Sequence, residues 1–186
     1  MPIANDPPDA RLAGMTSDTA PGQMLLRPAT PGDLAAVDRL LGRSYPALLK
    51  ADYPPSILVT AVPRIARARP ELLRSGTYYV VEGANGIAAA GGWTQASPVA
   101  GEGRARIGHV RHLATDPEQL RRGHAGRIMR HVLSEARAAG IGGMACLSTR
   151  TAVPFYAGLG FQRIEEVEIP LAPGIAFPAV RMSLGL

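Results

Sequence analysis

The apolar residues of this chain recur with two spacings, which divide it into helices and strands. Apolar positions three or four residues apart predict a helix over residues 31–42 and a second helical region over 55–74 that prolines interrupt. A longer helix ends at Gly140, and a short one covers residues 153–160. Alternating or β-branched segments predict strands at residues 24–30, 77–83, 87–96, 106–115, 144–150, 162–169 and 177–184.

The order of these elements, β α α β β β α β α β β, indicates an α/β fold. We expect a mixed, mostly antiparallel central sheet of about six to seven strands, flanked by about four helices. Residues 1–22 lack apolar periodicity and are predicted to be a disordered N-terminal tail, so one domain covers residues 23–186. Asn85-Gly86 predicts a tight hairpin, and Gly91-Gly92 predicts a bulge or a close backbone approach. Residues 97–105 are predicted to be a flexible loop.

Composition narrows the classes of partner. The net charge of +5 and the pI near 10.0 indicate an anionic partner. Nucleic acid is not favoured, because the basic residues form no long run and aromatic residues make up only 5% of the chain. No apolar run is long enough to span a membrane. The single cysteine, Cys146, forms no internal disulfide, which fits a reducing compartment and predicts a cytoplasmic protein.

The segment from Arg106 to Gly140 has the organisation of a phosphate site. A strand leads through the turn Asp116-Pro117 into the loop RRGHAG, and the loop opens directly into an amphipathic helix. The first backbone N–H groups of a helix and the positive end of its dipole favour anions. Other phosphate loops fit poorly, since no G-x-x-x-x-G-K-S/T motif is present. A phosphorylated cofactor therefore explains the clustered arginines better than a polynucleotide does.

Two motifs in this order resemble those of a known family. LATDPEQLRRGHAGRIM resembles the acyl-CoA-binding signature of the GNAT superfamily of N-acyltransferases, with Gly123 and Ala125 at its two small positions. Downstream, PFYAGLGF resembles the second signature of the family. Leu120 departs from the pattern, because the family usually has Arg or Gln there. The resemblance covers residues 24–186 and implies the GNAT fold, with acetyl-CoA as co-substrate.

The resemblance also implies a role for individual residues. The end of the fourth strand and the loop would bind the cofactor, through Leu113, Ala114, Thr115, Arg121, Arg122, Gly123, His124, Ala125, Gly126 and Arg127. Tyr156 lies at the position of the group that protonates the departing thiolate. Packing within a short helix is the structural alternative for Tyr156.

The proton acceptor and the acceptor site are less closely defined. Strict alternation along residues 106–115 puts His109, Arg111, Leu113 and Thr115 on one face and His112 on the other. Arylalkylamine acetyltransferases have histidines where this chain has His109 and Arg111, so the resemblance implies that His109 accepts the amine's proton. A hydrogen-bonded strand histidine is the alternative for His109. Candidates for substrate binding are Tyr45, Tyr53, Trp93 and Arg111.

These observations predict an N-acetyltransferase that moves an acetyl group from acetyl-CoA to a primary amine of a small molecule or peptide. Transfer would be direct, within a ternary complex. No metal is expected, because no H-E-x-x-H motif occurs and no cysteines accompany the histidines. No nucleic-acid or membrane partner is expected, and a homodimer is left open. The alternatives are a non-catalytic acyl-CoA sensor on the same fold and a nucleic-acid-binding module.

Overall fold

The computed structural model describes residues 24–99 and 106–186. The predicted N-terminal tail and most of the predicted loop at 97–105 lie outside these residues. The described chain forms one seven-stranded sheet with α-helices on both faces, in the strand order β1-β2-β3-β4-β5-β7-β6. Neighbouring strands are antiparallel except for β4 and β5, which are parallel. This arrangement confirms the predicted mixed, mostly antiparallel sheet.

The seven strands lie close to the predicted segments. They are β1 (Leu25–Pro28), β2 (Tyr78–Gly83), β3 (Gly86–Thr94), β4 (Ile107–Thr115), β5 (Gly143–Ser148), β6 (Gln162–Ala172) and β7 (Ile175–Gly185). The α-helices are α1 (Leu34–Leu49), α2 (Pro55–Thr60), α3 (Val62–Ile65), α4 (Pro70–Leu73), α5 (His124–Ala138) and α6 (Val153–Gly158). Helices α2 to α4 are the short pieces into which the prolines divide the region 55–74.

Helix α1 is longer than its sequence predicts. The prediction ended it at Gly42, whereas the helix continues through Pro46 to Leu49. A proline inside a helix removes one hydrogen bond, the one to the carbonyl four residues earlier. That carbonyl belongs to Gly42, which is exposed and can bond to water. Because Leu49 is buried in the core, packing holds the last turn in helical form.

The two faces of the sheet carry separate cores. On one face, α1 to α4 pack against side chains such as Tyr78, Val80 and Phe177. On the other face, α5 and α6 cover Tyr79, Val81 and further residues. The buried residues of α5 are His124, Ile128, Met129, Val132, Leu133 and Ala136, and the last five recur at the helical spacing that places them on one face.

Strand β4 contains an extra residue in the middle of its pairing with β3. Ala90 pairs with Ala114 and Gly92 pairs with Arg111, so three steps along β4 match two steps along β3. His112 lies at this bulge with a left-handed φ of 39°, and its carbonyl accepts a hydrogen bond of 3.0 Å from the Tyr78 hydroxyl. The glycine pair of β3 lies directly opposite, as its sequence predicted.

The bulge overturns the predicted alternation of β4. Val110 and Leu113 both pack in the core on the α5 side, although they are three residues apart. Ala114 packs in the core on the α1 side. Strict period-two alternation holds only while each residue has one partner, and the inserted residue reverses the faces beyond it. The prediction that His109, Arg111, Leu113 and Thr115 share one face is therefore wrong.

Strands β4 and β5 separate after a short paired segment. Their ladder joins Ile107 to Gly143, Gly108 to Met144 and His109 to Ala145, and it ends there. Strand β4 nevertheless runs on to Thr115, and β5 to Ser148. The two strands thus leave a gap in the middle of the sheet, between the end of β4 and the end of β5.

Candidate active site

A cavity of about 1110 Å³ occupies the gap between β4 and β5. Residues 110–115 form one side and residues 146–149 form the other. The cavity extends to the N-terminus of α5, where residues 123–126 line it, and to α6, where Tyr156 lines it. It also reaches α1 and the C-terminal part of β6. One continuous space therefore joins the two segments that the sequence motifs singled out.

The N-terminus of α5 presents backbone N–H donors to this cavity. The preceding residue is Gly123, whose φ of 80° is left-handed, and no side chain caps the helix. Arg121, two residues earlier, also has a left-handed φ, of 58°. A Cβ added at Gly123 would meet no described atom within 4 Å, so this side of the loop is open. An anion at this position would meet the first N–H groups of a 15-residue helix.

Tyr156 is buried, yet its hydroxyl has no hydrogen-bond partner among the described residues. Its ring packs edge-on against Phe155 and Phe161, with centroid distances of 5.3 Å and 5.4 Å. Burial raises the pKa of Tyr156 well above its ordinary value, and the neighbouring Cys146 and Tyr45 add to the shift. The phenol therefore stays protonated at the edge of the cavity and can act as a proton donor.

The structure distributes the histidines differently from their prediction. His112, at the bulge, lines the large cavity, whereas His109 lines a separate small cavity beside Ser97 and Arg181. Burial, with Arg111 and Arg69 nearby, lowers the pKa of His112 to about 4. His112 is therefore neutral near pH 7. The sequence signal that could have identified it is Gly91-Gly92, because a bulge opposite these glycines reorients the following side chains.

Arginine and aromatic side chains line the part of the cavity near α1. Tyr45, Arg69 and Arg111 all contact this space. Arg111 is half-buried, and it donates a 2.8 Å hydrogen bond to the Thr94 hydroxyl. Burial and the charge of Arg69 lower the pKa of Arg111. Sequence reasoning missed Arg69, since it lies in the proline-interrupted region and belongs to no motif.

Other candidate residues lie away from the cavity lining. Tyr53 is buried, stacks on Phe177 and donates a 2.9 Å hydrogen bond to the Pro178 carbonyl. Trp93 is buried in the core on the α5 side. Arg122 is exposed at the loop, and Arg127 donates a 2.6 Å hydrogen bond to the Met24 carbonyl. The remaining loop candidates, Arg121, Gly123, His124, Ala125 and Gly126, all line the cavity, as do Leu113, Ala114 and Thr115.

Metal-binding clusters and membrane-spanning helices are absent from the described residues. Within residues 24–99 and 106–186, no three His, Cys, Asp or Glu side chains gather in a group that could hold a metal ion. No helix in this part of the chain is long and apolar enough to cross a membrane. The polar and reactive groups that line the cavity include Tyr156, the neutral His112, Cys146, Arg69 and Arg111, together with the α5 N-terminus.

A sequence comparison with protein families matches residues 74–163 to the acetyltransferase (GNAT) domain. Residues 74–163 thus carry a GNAT acetyltransferase domain. This match includes β2 to α6, and therefore both the α5 loop and Tyr156. A GNAT domain makes the chain an acyltransferase, and acetyl transfer is the activity for which the family is named. No curated protein matches the sequence at a significant level.

Solved structures support the GNAT fold over almost the whole described chain. A GCN5-related N-acetyltransferase from Rhodopseudomonas palustris has a TM-score of 0.72 at 15% identity, with 90% of this chain and 99% of that one covered. The PaiA N-acetyltransferase from Thermoplasma acidophilum, solved with coenzyme A, has a TM-score of 0.67 at 12% identity, with 88% and 99% covered. YncA from Salmonella typhimurium, solved with its cofactor acetyl-CoA, has a TM-score of 0.62 at 16% identity, with 89% and 95% covered.

Proposed function

We propose that this protein transfers the acetyl group of acetyl-CoA directly to a primary amine of a small molecule or peptide. The observation that carries the proposal is the single cavity that joins the α5 N-terminus to the gap between β4 and β5 and to Tyr156. That shape suits a long ligand with phosphates at one end and a reactive thioester at the other. Two GNAT proteins of the same fold were solved with coenzyme A or acetyl-CoA, which supports the choice of cofactor.

In this proposal the cofactor's pyrophosphate binds at the α5 N-terminus. The backbone N–H groups from Gly123 to Gly126 donate to it, and Arg121 adds positive charge. The pantetheine arm then runs into the gap between the strands, beside Leu113 and Thr115. Those residues lie beyond the end of the β4–β5 ladder, so the edge of β4 that faces β5 is open to a ligand.

Tyr156 is the group that we assign to protonating the departing thiolate. A thiol titrates near ~8.5 and an ordinary tyrosine near ~10, so the phenol can donate and then recover its proton from water. The raised pKa of Tyr156 guarantees that the proton is present at the start of each turnover. It also makes Tyr156 a weaker acid, so donation must coincide with the build-up of negative charge on sulfur.

The attacking amine must be neutral, and His112 is better placed than His109 to orient it. His112 lines the large cavity, and its neutral ring can accept a hydrogen bond from the amine. A pKa of about 4 makes His112 a weak base, so it cannot hold the amine's proton for long. We therefore assign His112 an orienting role, and the proton passes to water in the cavity.

Direct transfer is favoured over an acyl-cysteine intermediate. Cys146 lines the cavity near Tyr156, but burial raises the pKa of its thiol to about 12. The thiolate is the nucleophilic form of cysteine, and at neutral pH it is almost absent here. The acetyl group thus passes from sulfur to nitrogen in one complex that contains both substrates.

The test is thiol release from acetyl-CoA with a panel of amines, for the wild-type protein and for Tyr156→Phe. The variant keeps the ring that packs against Phe155 and Phe161 and removes only the hydroxyl. We expect kcat to fall by about 10²- to 10⁴-fold, with the Kd for CoA unchanged. Tyr79→Phe is the matched control, since Tyr79 is buried in the same core but does not line the cavity.

Two results would contradict the proposal. Equal turnover by wild type and Tyr156→Phe would remove Tyr156 from the chemistry. Binding of CoA without thiol release for any amine would refute catalysis and favour the non-catalytic acyl-CoA sensor.

A further inference from the structure

We propose that the acceptor amine carries a carboxylate, and that Arg111 binds this carboxylate with help from Arg69. The acceptor would then be an α-amino acid or a close relative with an apolar body. This inference rests on the proposed acetyl transfer and specifies its second substrate.

Arg111 is a half-buried cation without an anionic partner among the described residues. Its one hydrogen bond to a side chain goes to the neutral hydroxyl of Thr94, which in turn donates to the Ala96 carbonyl. Arg27, by contrast, pairs with two carboxylates, those of Asp33 and Glu82. Removing a charge from water costs free energy unless an opposite charge compensates. The remaining N–H groups of Arg111 therefore suit an anion that arrives with the substrate.

The electrostatic balance around Arg111 is positive. Arg69 also lines the cavity, and its only ion pair among the described residues is a long contact of 3.9 Å with Glu71. No aspartate or glutamate is among the described residues that line this cavity. Glu71 acts on Arg111 through its charge, without a hydrogen bond to it. A dication such as a polyamine would be repelled here, whereas a carboxylate would be attracted.

The same positive charge assists the reaction. Neighbouring cations disfavour the charged form of an amine, so a substrate bound beside Arg111 and Arg69 loses its proton more readily. A carboxylate fork also matches the planar guanidinium of Arg111, which fixes the orientation of the substrate. The neutral His112 follows Arg111 directly in β4 and is free to contact the amine.

Apolar side chains line the rest of this part of the cavity. Tyr45 and Leu48 come from α1, Ile65 comes from α3, and Leu171 and Phe177 come from β6 and β7. A polar side chain on the substrate would lose its hydration against these surfaces without compensation. The cavity therefore favours an amino acid with an aliphatic or aromatic side chain.

The test compares matched acceptors that differ in the carboxylate: L-leucine against L-leucinamide, and L-phenylalanine against phenethylamine. Rates are expressed per concentration of neutral amine, so that the different amine pKa values do not bias the comparison. Wild-type protein should favour each acid by at least about tenfold in kcat/KM. Arg111→Gln should lower kcat/KM for the acids by about 10- to 100-fold, as expected for losing a charged hydrogen bond, and should lower kcat/KM for the neutral amines by a clearly smaller factor. Arg137→Gln is the control, because Arg137 is exposed on α5 outside the cavity.

A second measurement needs no variant. Isocaproate, which has the carboxylate and body of leucine but no amine, should compete with phenethylamine, and isocaproamide should not. Turnover of neutral amines without preference for acids, and without inhibition by isocaproate, would overturn the inference and leave the proposed function intact. Weaker CoA binding by Arg111→Gln would assign the guanidinium to the cofactor and overturn the inference as well. Absence of turnover with every amine would refute the proposed function and this substrate assignment together.

Discussion

The two ends of α5 offer a matched pair of glycines that separates backbone strain from ligand binding. Gly123 precedes the helix with a φ of 80°, and Gly140 follows it with a φ of 74°. A Cβ at either position would meet no described atom within 4 Å, so alanine would clash with nothing. Only Gly123 lines the cavity.

Alanine at either position should therefore cost the same stability. A left-handed backbone costs an L-residue about 1–2 kcal/mol, so Gly123→Ala and Gly140→Ala should each lower the free energy of unfolding by that amount. For a chain of this size, such a loss lowers Tm by roughly 2–8 °C. Thermal melts without ligand give this comparison.

Binding of CoA should distinguish the two variants. Because Gly123 lines the cavity, a methyl group there should narrow the space that we assign to the pyrophosphate and obstruct its approach to the N–H groups of α5. Losing one or two hydrogen bonds to a charged group should raise the Kd for CoA by about 10- to 100-fold. Gly140→Ala should bind CoA as the wild type does, measured by isothermal titration calorimetry. Equal affinities of the two variants would refute the assignment of the pyrophosphate to this loop.

Three further predictions concern pH and packing. For an alkylamine acceptor, kcat/KM should rise about tenfold per pH unit as the pH approaches ~10, because the neutral amine is the form that reacts. The raised pKa of Tyr156 keeps the phenol protonated over this range, so kcat/KM should not decline there. A decline of kcat/KM that begins below pH 9 would contradict this prediction. Gly92→Ala should destabilise the fold by about 1–3 kcal/mol, since the new Cβ would collide with the Thr77 carbonyl and lie 2.5 Å from the Cα of Tyr78. Chemical denaturation measures this loss, and Gly42→Ala, at an exposed position, is the control. Arg27 lowers the pKa of Asp33 to about 2. The ionised carboxylate should therefore contribute about 1 kcal/mol of stability, after solvent screening, above pH 4, and this contribution should disappear as the pH falls toward 2. Denaturation at several pH values should show this loss in the wild type and not in Asp33→Asn.

The fold followed from the sequence largely because its periodic segments are long and clearly bounded. Periodicity alone does not give the order of the strands within the sheet, and the resemblance in the α5 loop and the Phe-Tyr motif predicted only the fold as a whole. The prediction for α1 failed at Pro46, where tertiary packing of Leu49 outweighs the lost hydrogen bond. The helix-breaking tendency of proline is a local property, and it does not predict which residues after the proline will be buried in the core.

The sequence predicted the part of the site in which a motif defines the backbone conformation. It predicted poorly the part in which the position of one side chain determines what lines the cavity. The α5 loop lines the cavity, and it could be located from the sequence because glycine spacing and a helix start are local properties. His112 was not identified as a cavity residue, because strict alternation ignores the one-residue bulge in β4 that reverses the faces of all later positions. Arg69 escaped detection for another reason: only the folded chain brings it beside Arg111.

The separation of β4 and β5 has a consequence for self-association. Strand edges with unpaired N–H and C=O groups are templates on which other chains can add, and they promote aggregation when they face solvent. Here two such edges lie opposite each other inside the sheet, with helices on both faces. Another protein chain would have to enter between the packed helices to reach these strand edges. A narrow, extended ligand can enter the gap from the end at which β4 and β5 separate. The fold can thus keep unsatisfied strand edges available for a small ligand without offering them to a second protein.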